Sequence, residues 1–186
     1  MKMTRSKSLN GNLKDMPVES YFLRYAFPCT YILKQKGDID EKTFRKLENA
    51  ALENKKVDRK LLENTYKKAF ERIKKLAKDM HARDYWSIDI IQEYFHSRHN
   101  ILIDRGEISF SEHDNLPMAP EVLREICKVM KAEIIEKRDD FFIVKYTSGK
   151  NQKTRVVASF FVPDAKTGDL VFIHHGYAVE KVSQEF

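Results

Sequence analysis

The stretch that most constrains this chain is Val156 to Val182, two apolar strand patterns around a turn. Val156, Val157, Phe160, Phe161 and Val162 are β-branched or aromatic, and Pro163 ends the run because it cannot donate to a sheet ladder. Asp164 to Asp169 supplies turn chemistry, with Gly168 free to take a positive φ. Leu170 to Ile173 is apolar, His174-His175 follows, and Gly176 breaks the run before Tyr177 to Val182. Short strands joined by tight turns predict a small closed barrel, since closure removes exposed edges.

The residues ahead of it carry helical signals. Glu19 to Lys36 is apolar and aromatic; Pro28 predicts a kink or a split there, and Gly37 a C-terminal stop. Asp40 caps a second helix, in which Ile39 and Phe44 have hydrophobic-staple spacing. Asp58 caps a third, with Leu62, Tyr66, Ala69, Ile73, Leu76 and Met80 as its apolar stripe. A fourth helix spans about Ser87 to Asp104, capped by Ser87 or Asp84, and Pro120 opens a short fifth that delivers Cys127. The reading is α+β: a basic disordered tail (1–16), an all-helical domain (17–106), a polar linker (107–119), then a short helix and a five-stranded OB-like β-barrel (120–186).

The run FVPDAKTGDLVFIHHGYAVEKV resembles the signature of the HypC/HupF family, small chaperones of nickel–iron hydrogenase maturation. That pattern reads strand, Val-Pro, turn, Gly-Asp-x-Val, an apolar pair, His, a residue, Gly, an aromatic and Ala. A weaker likeness runs back through Phe141 to Tyr146 to Cys127, which matches the family's opening cysteine; Lys131 stands where the family has a proline. The resemblance covers Cys127 to Val182 and leaves the first 126 residues without a match. It implies a non-enzymatic metallocentre-assembly chaperone or adaptor, with Cys127 and His174 holding iron transiently. A thiolate and an imidazole suit such a metal. It also implies a protein partner, HypD-like or a hydrogenase large-subunit precursor, met in part through Gly176 and Tyr177.

The other candidates read more plainly. His175, one residue from His174, is expected on the opposite strand face and in solvent. Glu93, His96 and His99 lack the HExxH spacing of a zinc helix, and His99 shares an apolar face with Phe95 and Leu102, which predicts a core histidine. Cys29, beside Pro28 in an apolar segment, reads as packing.

Charge separates the two parts. The chain carries a net +6, and Lys55 to Lys78 holds ten basic side chains against three acidic. Residues 121–186 are close to neutral, with eleven basic and ten acidic. A basic helix face displaying Lys60, Lys67, Lys74, Lys75 and Lys78 makes nucleic acid the alternative partner, bound beside the barrel rather than on it. A Gly-rich phosphate loop, a GxSxG turn and paired catalytic carboxylates are all missing, so no enzyme reading arises. The start is basic without an apolar core, no apolar run nears the roughly 20 residues of a membrane span, and two distant cysteines form no CxxC. A cytoplasmic, reduced protein is the expectation.

Overall fold

The computed structural model describes residues 16–108 and 120–182. All but Met16 of the expected tail and most of the expected linker lie outside them, and Met16 packs against the helical core. Seven helices and five strands follow in order: α1 (Val18–Lys36), α2 (Glu41–Leu52), α3 (Arg59–Thr65), α4 (Lys67–Asp79), α5 (Ile88–Glu93), α6 (His99–Asp104), α7 (Glu121–Ile126), β1 (Met130–Arg138), β2 (Phe141–Ser148), β3 (Asn151–Ala158), β4 (Leu170–His174) and β5 (Tyr177–Lys181). A π-helical turn (Tyr94–Arg98) joins α5 to α6. The chain is α+β, with helices leading into a closed barrel of strand order β1-β2-β3-β5-β4. The β3–β5 closure is parallel, at Ala158 and Tyr177, and the other pairings are antiparallel, the connectivity of an OB-like barrel.

The expected caps form. The Asp40, Asp58 and Ser87 side chains accept from the amides of Thr43, Lys60 and Ile90, satisfying helix donors that have no partner within the helix. Gly37 ends α1 in the left-handed conformation at φ 79°. Two expectations are corrected. Pro28 does not split α1, which runs on to Lys36; ten residues from Ser20 to Thr30 are buried in it, and that packing outweighs a proline's cost of about 3 kcal/mol. The third helix is two, broken at Tyr66 (φ −111°, ψ 43°), where Asn64, Thr65 and Tyr66 are weak helix formers. The Tyr66 hydroxyl is tied to Thr30 of α1 at 2.5 Å.

Two cores result. Ala132, Ile134, Phe142, Val144, Val171 and Ile173 fill the barrel by strict alternation. The helical core is aromatic: Phe22 meets Tyr66, Phe70, Trp86 and Phe95 with ring centroids 5.0–5.9 Å apart. This second core takes in Val129, Phe161 and Val179, with Phe172 and Tyr177 packed against it, so α1 lies across the outer face of β4 and β5. One bulge decides that docking. Phe172 pairs with Glu180 but Ile173 with Ala178, so Val179 is the extra residue on β5. It turns Glu180 outward, where its carboxylate accepts from the Tyr21 and Tyr25 hydroxyls at 2.7 and 2.5 Å. Asn100 adds a two-bond clasp on the backbone of Val129, at 2.7 and 2.9 Å.

Candidate metal centre

His174 is the last residue of β4 and is fully buried against α1. Its Nδ1 lies 2.8 Å from the Tyr25 carbonyl. A carbonyl can only accept, so Nδ1 carries the proton and Nε2 the lone pair. The carbonyl of Cys127 also lies toward the ring, yet Nε2 has no partner within hydrogen-bond distance. Burial, reinforced by His175 and His99, pushes the His174 pKa well below the usual imidazole range, so the ring is neutral. A neutral imidazole whose far nitrogen is held by a carbonyl is the form in which histidine binds metals.

His175 corrects the expectation of a solvated surface residue. The strand ends at His174, and His175 takes φ 51° in the turn, so strand alternation no longer applies to it. Its amide donates to the Ile126 carbonyl at 2.9 Å, and its ring lies 4.9 Å from that of His174. Its Nε2 is 4.0 Å from the Cys29 sulfur. Burial lowers its pKa to about 4.

Cys29 completes the group. It sits one helical turn beyond Tyr25, so the face of α1 that holds His174 through a carbonyl also presents a thiol. One ligand atom each from Cys29, His174 and His175 lies within 4.8 Å of the others. Cys29 keeps some surface on a neighbouring pocket, while its sulfur is enclosed by protein and burial pushes the thiol up to about 12. A bound cation would displace that proton, because a coordinating thiol is deprotonated.

The remaining candidates fall around this group. Cys127 is buried at the end of α7 with its thiol pushed up to about 12 by burial, and its sulfur is not among the three atoms that converge. Tyr177 packs on Phe27 and Phe161 at 6.0 and 5.8 Å, and the Gly176 carbonyl accepts from Ala158, so both meet the chain's own elements. Glu93, His96 and His99 do not converge. His96 stacks on Phe172 at 3.8 Å and meets the Tyr25 hydroxyl at 2.7 Å, while His99 is a core histidine, 5.3 Å from the His174 ring, with Nδ1 unpartnered. Lys60, Lys67, Lys74, Lys75 and Lys78 are exposed on α3 and α4. Sequence reasoning missed Cys29, for no local signal links it to a histidine pair 145 and 146 positions away. Among the described residues no helix is long and apolar enough to cross a membrane. No family model matches the chain, and no curated protein matches it.

Proposed function

We propose that this protein is a metal-handling assembly chaperone or adaptor, in the sense implied by its resemblance to the HypC/HupF family, which carries iron transiently on Cys29, His174 and His175. The observation that carries the reading is the convergence of one ligand atom each from Cys29, His174 and His175 to within 4.8 Å of one another, with both imidazoles held neutral by burial. One sulfur and two nitrogens suit iron, zinc or copper, not magnesium or calcium. Three protein donors also leave a coordination position open, as exchange and transfer require and a closed structural site does not. Cys29 also lines a pocket beside the group. In this reading Cys29 is the thiolate, and a partner protein (by the resemblance, HypD-like or a hydrogenase precursor) completes the shell.

The test is anaerobic loading of the purified protein with iron(II), then elemental analysis after desalting. The comparison set is Cys29→Ser, His174→Ala, His175→Ala and Cys127→Ser. Near-stoichiometric iron in the parent, lost in the first three variants and kept in Cys127→Ser, supports the assignment. Loss in Cys127→Ser with retention in Cys29→Ser moves the thiolate to Cys127. No retained iron in the parent, with zinc(II) equally unbound, overturns the metal reading.

A further inference from the structure

The helical domain contains a pocket of about 390 Å³ between α1, the α3–α4 junction and the π turn. That volume lies in the range of small-molecule sites. Ile32, Leu33, Phe95 and Ile108 make part of its wall apolar. Its polar groups are unevenly signed. Lys36, Lys67, Lys68 and Arg72 line it against a single carboxylate, Asp38. Arg72 is no loose surface cation, for its Nη2 is held by the Glu107 carbonyl at 2.7 Å. From there its charge acts on Tyr94 and His99, two further lining residues. His99 is 6% exposed and its Nδ1 has no hydrogen-bond partner.

We propose that this pocket binds a small organic anion with an apolar tail, of the medium-chain carboxylate type, with its charged head at Arg72 and its tail on Ile32, Leu33 and Phe95. An apolar wall rewards burial of a hydrocarbon tail, while a fixed guanidinium in a partly desolvated wall holds a carboxylate in the plane of its N–H groups. The surrounding lysines raise the local concentration of anions over neutral molecules. A neutral ligand of the same length gains the tail contact alone. The site shares Cys29 with the metal centre but does not depend on a bound metal.

The probe is octanoate, compared with octanol, titrated calorimetrically into the full chain after chelator treatment. Saturable octanoate binding at least tenfold tighter than octanol is expected, and the preference should collapse in Arg72→Gln. Ala69→Trp, which projects an indole into the pocket, should abolish binding of both; circular dichroism checks that it folds, and Lys67→Gln with Lys68→Gln gives a surface variant expected to weaken octanoate alone. Absence of saturable binding up to millimolar octanoate, equal affinity for octanol, or an unchanged preference in Arg72→Gln overturns the proposal. His175→Ala separates the two readings: octanoate binding should survive it, whereas iron loading should not.

Discussion

Glu180 is the sharpest place to test how the helices are held on the barrel. Its carboxylate is 4% exposed and accepts from Tyr21 and Tyr25, and the Tyr25 oxygen in turn meets Nε2 of His96. Arg24 exerts a favourable field on it, yet burial outweighs that field and both hydroxyls, so its pKa lies above the usual carboxylate value. The sign follows. Because the folded pKa is raised, the fold takes up the Glu180 proton more readily than the unfolded chain does. Its contribution to stability is therefore fully present below the unfolded pKa of about 4.5 and is lost as pH rises through the folded value. Glu180→Gln keeps the shape and removes the charge. The parent's advantage over this variant should shrink as pH rises from about 4.5 through the folded value, by about 1.4 kcal/mol for each pH unit separating the folded and unfolded pKa values. His96, held near pKa 4 by burial, stays neutral in the fold across that window, so its own titration largely cancels in the difference. Glu180→Ala is different, since it takes the acceptor from the buried Tyr21 hydroxyl while Tyr25 keeps His96, and it should cost about 1–3 kcal/mol. Urea unfolding followed by the single tryptophan, Trp86, buried in the helical core, reads both variants. A parent advantage that instead grows with pH would show that the two hydroxyls stabilise the carboxylate more than burial penalises it, and the argument would be refuted.

Other consequences follow from single contacts. Asn100→Ala should cost about 2 kcal/mol or more in the same unfolding assay, because it strands both backbone groups of Val129 at the entry to β1. Arg155→Met should stabilise the protein by about 1 kcal/mol, since all three guanidinium nitrogens are buried without a hydrogen-bond partner and the cation–π contact with Tyr146 at 5.0 Å offsets only part of that cost; a loss of stability would show that the ring contact outweighs it. Asp40→Ala removes the acceptor for the Thr43 amide and should lower the melting temperature. If Cys29 is the thiolate, iron affinity should rise about tenfold per pH unit between pH 6 and 8, for one thiol proton leaves on binding while both imidazoles are already neutral. An affinity flat in pH would remove Cys29 from the shell.

The barrel was legible because its information is local. The apolar run Leu170 to Ile173, the turn at Gly168 and the caps Asp40, Asp58 and Ser87 all fall within a few residues of the structure they specify. The helix break at Tyr66 was not read, although Asn64, Thr65 and Tyr66 are weak helix formers, because the apolar stripe runs on through it and its anchor Thr30 lies on another helix. Nor was the persistence of α1 through Pro28, which the aromatic packing on both sides enforces. His174 was singled out by its motif position, whereas the orientation of His175 depends on a left-handed turn residue that strand alternation cannot foresee.

The sequence by itself determined that helices precede a small β-barrel, roughly where α1, α2, α7, β4 and β5 begin and end, and that a histidine would close the fourth strand. Which donors surround that histidine was decided only in the tertiary structure. The bulge at Val179 turns Glu180 outward, its bonds to Tyr21 and Tyr25 help lay α1 across β4 and β5, and that placement brings Cys29 to His174 and His175. Periodicity reports which face of an element is buried, but not which other element will cover it. A contact closed across about 145 residues is set by the fit between two finished surfaces.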